Sequence, residues 1–184
     1  MGTEPPVQPP AQPTALVDSQ GRPLAEWWKR LVAAIIDSFI IGIPANIIGG
    51  IIFGSLFAAS TPHFNPQTGL IEGSNGGFVA GILASYGAFI LMYWVLTAAY
   101  YIYLHGSKGQ TVGKMVMKLK VVDETTGELI GYGPAFKRWI LPIPVAFLTC
   151  GIGGILDGIW PLFDAKRQAW HDKFAKTLVI DLAA

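Results

Sequence analysis

Arg30 and Asp37 stand seven residues apart in WWKRLVAAIIDSFIIGIPANIIGGIIFG, and Asp37 is the only ionisable residue from Leu31 to Ser60. In a helix, seven residues is close to two turns, so both side chains project from one face, about 10 Å apart along the axis. A run this apolar reads as a membrane helix. Arg30 then lies near the water boundary, and Asp37 about a third of the way into a ~30 Å hydrocarbon layer. A carboxylate there costs on the order of 2.5–3.5 kcal/mol, more without a partner. It must be paired, hydrated or protonated. The chemistries on offer are an ion pair with Arg30, an ion or proton site, and hydrogen bonds from neighbouring hydroxyls.

Elements that could position such a group flank it on both sides. Pro44, seven residues after Asp37, falls on the same stripe and leaves the Ile40 carbonyl without its helical donor, so Arg30, Asp37 and Pro44 read as one polar, kinked face. Gly49, Gly50 and Gly54 allow close approach of a second helix. A second apolar segment carries Tyr86, Tyr93 and Tyr100 at heptad spacing, with Thr97 beside them. Their hydroxyls could donate to Asp37, or could serve as packing and interfacial aromatics.

The composition supports a membrane setting. Of 184 residues, 52% are hydrophobic and 14% charged, well below the roughly 25% charge of a soluble domain. Mean hydropathy is +0.45. All thirteen Lys and Arg fall in three blocks: Arg22 to Arg30, Lys108 to Arg138, and Lys166 to Lys176. That pattern excludes a basic nucleic-acid-binding face and orients the chain, because basic loops stay in the cytoplasm. Cys150 is alone, sits in an apolar run and reads as a small packing residue.

The expected architecture is a mainly α membrane protein. Residues 1–24 form a disordered Pro-rich cytoplasmic tail without signal-peptide character. The membrane domain, 25–183, begins with a full helix at 26–59, an external loop at 60–77 and a second full helix at 78–104. Residues 105–137 are cytoplasmic. Alternation from Met115 to Val122, a turn at Asp123 to Gly127 and a short return at Glu128 to Ile130 predict a small β-hairpin. Segment 138–163 is apolar but broken by Pro142, Pro144, Gly151, Gly153, Gly154 and Asp157. A full crossing would carry the basic segment 164–183 outside, so a re-entrant segment bending near Gly151 to Gly154 is favoured over a third span. The run Thr177 to Leu182 reads as a strand, and its natural partner is the 115–122 strand.

Three ordered motifs together resemble the RDD family of small bacterial and archaeal multi-pass membrane proteins, named for one arginine and two aspartates. They are RLVAAIID with Arg30 and Asp37, GQTVGKMVMKLKVVD from Gly109 to Asp123, and WPLFDAKRQAWHDKFAKTLVI from Trp160 to Ile180. The resemblance covers about Glu26 to Asp181. It implies that Asp172, or alternatively Asp164, is the second aspartate, that the chain lies in a bacterial cell membrane, and that ion-coupled transport is one role to consider; the basic blocks and the strand pairing put both ends in the cytoplasm.

Two functional readings stay open. In the first, the Arg30/Asp37 pair is the ion or proton site of a transport component. Because two spans and a re-entrant piece cannot enclose a pathway, this reading requires a homo-oligomer or a larger membrane complex. In the second, the same charges, with Asp172 or Asp164 reaching in from the tail, lock the helices to a cytoplasmic cap of a structural or regulatory subunit. No nucleophile motif, metal-ligand cluster or phosphate loop is present, so neither an enzyme nor a cofactor is expected, and the lipid bilayer is the expected partner.

Overall fold

The computed structural model describes residues 16–73 and 75–183. Two long helices dominate it, α1 (Trp27–Ser60) and α2 (Asn75–Lys108). Each has 34 residues, about 50 Å of helix, which exceeds the ~30 Å hydrocarbon layer. Only 17% of the apolar window of α1 and 6% of that of α2 is buried. Helices so apolar and so bare, with Ile43, Ile47, Ile51, Leu83, Leu91 and Val95 facing outward, do not have the burial of a soluble core; they are long and apolar enough to cross a membrane.

The inward stripe of α1 is Ala33, Asp37, Ile41, Ala45 and Gly49, an i, i+4 ladder. Gly49 is required for close packing, since a Cβ there would stand 2.1 Å from the Phe89 ring of α2. Gly50 and Gly54 face open space. Pro44 is exposed, and the helix continues through it. The expected polar face through Pro44 is therefore corrected: packing against α2 follows the fourfold ladder, not the heptad.

The connection between these helices, expected as a loop, contains a hairpin of β1 (His63–Asn65) and β2 (Leu70–Glu72). Asn65 closes its turn by accepting from the Gln67 and Thr68 amides, and Gly69 supplies a φ of +69°.

The opposite end is a compact cap. After α2 comes α3 (Val112–Val116), then β3 (Leu119–Asp123), α4 (Tyr132–Ile140), α5 (Pro142–Leu148), α6 (Ile152–Ile159), a 3₁₀ turn at Trp160–Leu162, α7 (Trp170–Ala175) and β4 (Thr177–Asp181). The strand expected from Met115 starts only at Leu119. Thr111 caps α3 by accepting from the Lys114 amide, which draws 112–116 into a helix despite its alternation. The partner of β3 is β4, antiparallel from Leu119↔Asp181 to Asp123↔Thr177, as the strand-like C-terminus suggested. The expected hairpin return is reduced to the single bridge Val122↔Leu129.

Residues 16–24, expected within a disordered tail, are folded onto this sheet; residues 1–15 of that tail lie outside the described residues. Leu24 bridges Ile180, and Ala25 donates to the Val179 carbonyl. Asp18 and Arg22 form an ion pair across a tight turn, and Arg22 also donates to the Gly127 carbonyl. Leu24, Val122, Leu178 and Ile180 pack one core cluster, and Ala25, Ala33, Leu119, Val121, Ile130, Ala135 and Val179 pack the other. The second cluster includes Ala33 of α1, so the cap is seated on the membrane helix itself.

The broken apolar segment becomes a short helical hairpin. Its turn runs through Cys150 and Gly151, at φ of +51° and +92°, and the Gly151 amide donates to the Ala146 carbonyl. Seven and eight residues make about 10 and 12 Å of helix, and neither length crosses a bilayer. Cys150 is exposed in this turn, not a packing residue as its apolar neighbours suggested.

Candidate functional site

The two aspartates singled out by the sequence occupy separate, fully buried positions, with Asp37 1% and Asp172 0% exposed. Asp37 is answered by neutral donors. Its Oδ1 accepts from the Tyr100 hydroxyl at 2.7 Å and the Gly113 amide at 2.7 Å, and its Oδ2 from the Thr111 hydroxyl at 2.5 Å. The Tyr100 oxygen in turn accepts from the Val112 amide at 3.1 Å. Gly113 must be a glycine: a Cβ would lie 2.1 Å from the Ala33 carbonyl oxygen and 2.9 Å from Asp37 Oδ1. The carboxylate thus stitches α1 to the end of α2 and the start of α3.

Asp172 is answered by cations. Arg30 Nη1 donates to its Oδ2 at 2.8 Å, and Arg138 Nη1 to its Oδ1. The Ala169 amide donates to Oδ2 at 2.9 Å, as expected for an acid at the first turn of α7. Arg138 also donates to Thr177 Oγ1. Burial alone would raise the Asp172 carboxyl, but Arg138, His171 and Arg30 hold it far below the ordinary carboxylate range. This cluster ties α1, α4 and α7 together.

Arg30 and Asp37 therefore do not pair. Two helical turns separate them by more than a short carboxylate spans, and each finds a partner across the fold. Asp164 stands apart from the cluster: it pairs with Lys173 and accepts from the Lys166 and Gln168 amides. Of the tyrosine stripe only Tyr100 reaches Asp37. Tyr86 and Tyr93 are exposed, and the buried Thr97 donates back to the Tyr93 and Trp94 carbonyls. Pro44 plays no part.

Residues missed in the sequence complete the site. Arg138 and Lys114 counted only as members of a basic block, and Thr111 and Gly113 only as members of the GQTVGKMVMKLKVVD motif. The usable signal was Gly113 beside a capping Thr111, shortly after the end of a charge-free helix. His171 accompanies its neighbour Asp172 but bonds Asp157 of α6, through its amide at 3.0 Å and Nδ1 at 2.6 Å. Among the described residues no group of His, Cys, Asp and Glu is arranged to hold a metal ion.

Two cavities adjoin the cluster. One, of about 290 Å³, is lined by residues including Tyr101, His105, Lys114, Arg138, Asp157 and His171. The other, of about 340 Å³, is walled by Trp27, Leu31, Ile155 and Ile159 and shares Lys114, Arg138 and His171 with the first. Lys114 is half-buried between them. Burial and the nearby Arg138 lower its ammonium from 10.5 to about 8, against the opposing pull of Asp37 and Asp172.

The RDD family pattern matches residues 24–176. The proline-rich antigen of Mycobacterium leprae is 31% identical over 166 residues, covering 85% of this chain and 60% of that protein. Its homologue in Mycobacterium tuberculosis is 32% identical over 163 residues, covering 85% and 62%. The chain thus spans about three-fifths of the length of these two relatives. YxaI of Bacillus subtilis is 32% identical over 161 residues, covering 85% of this chain and 96% of its own. No solved structure matches. With its two membrane helices and the match from 24 to 176, the chain belongs to the RDD family.

Proposed function

We propose that the chain is a membrane subunit with a structural or regulatory role, in which buried aspartates lock two spanning helices to a cap at the membrane surface. The observation that carries this reading is Asp172, which takes a guanidinium from α1 and another from α4 while starting α7. A lock of this kind gives the cap one fixed position on the helix pair. The basic blocks gather at the cap end, which by the positive-inside rule is cytoplasmic and takes both described ends of the chain with it. The α5–α6 hairpin dips into the inner leaflet, where its exposed Phe147, Leu148, Ile152 and Ile155 meet lipid.

A second reading, an ion-coupled transport component assembled as a homo-oligomer, draws on Lys114, a half-buried cation set between two cavities. Reconstituted vesicles with sodium, potassium and proton gradients separate the readings. The lock predicts no flux in the wild type, with lower yield and thermal stability in Asp172→Asn. Wild-type flux that vanishes in Asp37→Asn while that variant stays folded would replace the lock with transport.

A further inference from the structure

The groups around the two cavities are unevenly satisfied. Every carboxylate there is engaged. Asp37 takes three donors, Asp172 takes Arg30, Arg138 and the Ala169 amide, and both oxygens of Asp157 are held by His171. The donors are not used up. Arg30 Nε and Nη2 and Arg138 Nε are buried without a hydrogen-bond partner, and the Lys114 ammonium takes part in none of the ion pairs or side-chain hydrogen bonds among the described residues. A buried donor left unmade costs on the order of 1–3 kcal/mol in general, more when charged. A site with spare cationic donors and no spare carboxylate is short of an anionic acceptor.

We propose that the paired cavities at Lys114 bind a phosphate-bearing anion, with Lys114 as its principal contact and Arg138 beside it. Phosphate oxygens supply the missing acceptors, and a guanidinium edge with an ammonium is a suitable pair of donors for them. The walls fit a ligand with a polar head: basic side chains line the shared boundary, and Trp27, Leu31, Ile155 and Ile159 extend the second cavity along the membrane helix. His105 adds one polar atom. Its Nδ1 faces the Tyr101 carbonyl at 3.0 Å and must donate to it, which leaves the buried, unpartnered Nε2 to meet the same ligand. The phosphate can come from a phospholipid headgroup such as phosphatidylglycerol or from a soluble ion. The proposal does not rest on the lock.

The test uses the full chain. In detergent, thermal unfolding is followed with inorganic phosphate, with chloride at matched ionic strength as control. In nanodiscs, phosphatidylglycerol retention is compared with that of phosphatidylcholine by native mass spectrometry. One arm is expected to respond: stabilisation by phosphate identifies a soluble ligand, and selective retention of phosphatidylglycerol identifies a lipid. Lys114→Met should weaken the responding arm at least tenfold, Lys114→Arg should restore it, and Lys166→Met, at an exposed lysine, should leave it unchanged. Wild-type protein that responds in neither arm overturns the proposal, whether or not Lys114→Met folds. So does a Lys114→Met variant that binds as well as the wild type.

Discussion

Asp37 and Asp172 are equally hidden from water and held in opposite ways. Asp37 lies within a membrane helix and is surrounded by a phenol, an alcohol and an amide. Asp172 lies in the cap and is surrounded by two guanidiniums. Neutral donors hold a carboxylate without importing a second charge into the apolar layer, where each ion is costly to place. Nearer the water boundary a cation can be accommodated, and ion pairing becomes available as a fastening.

The sharpest way to break this comparison is Asp172→Asn. It leaves Arg30 and Arg138 buried without their counter-charge, and should cost about 3–5 kcal/mol, read as thermal unfolding in detergent. The same variant should flatten the acid limb of the stability profile. Because the folded Asp172 carboxyl titrates below its ordinary value, its contribution is complete above the ordinary carboxylate range and is lost as pH falls toward the folded value. Gly113→Ala attacks the other site by shape alone. Its methyl would collide with the Ala33 carbonyl, and parting α3 from α1 should cost about 1–3 kcal/mol. Tyr100→Phe removes one of three donors to Asp37 and should cost about 1.5 kcal/mol, less than Asp172→Asn because two donors remain.

Lys114 lies under the influence of both aspartates, and its removal should have the opposite sign. Its folded value, about 8, is below its ordinary 10.5, so the unfolded chain binds the proton more tightly and stability rises as pH climbs between those values. Lys114→Met should abolish that rise and stabilise the protein at neutral pH by on the order of 1 kcal/mol. An unchanged pH profile would remove Lys114 from the cluster.

The sequence made the frame legible because membrane helices are read from length and apolarity alone. Both long helices, the break near Gly151 and the pairing of the C-terminal strand with the strand after α2 all follow from hydropathy and charge placement. The pairing of charges followed only in part: a hydroxyl of the tyrosine stripe on Asp37 and Asp172 reaching in from the C-terminal segment were expected, but so was an Arg30–Asp37 pair that does not form. Arg30 and Asp37 share a helix face, and spacing along one helix invites a local pair. Their true partners come from residues 63 to 142 positions away in sequence, and one-dimensional periodicity carries no such information. The expected strand start at Met115 and Val116 fails for a related reason: their alternation suits a strand, but the Thr111 cap and the contact of Gly113 with α1 make Val112–Val116 a helix. The fold of residues 16–24 was hidden by their polar composition, although Leu24 is a core residue.

A double-mutant cycle tests the central claim that Arg30 answers Asp172 and not Asp37. Arg30→Met, Asp172→Asn, Asp37→Asn and the two doubles containing Arg30→Met are compared by reversible unfolding in detergent. The account predicts a coupling of at least about 1 kcal/mol between positions 30 and 172, and additivity within about 0.5 kcal/mol between 30 and 37. The reverse pattern, with 30 coupled to 37 and independent of 172, would contradict it.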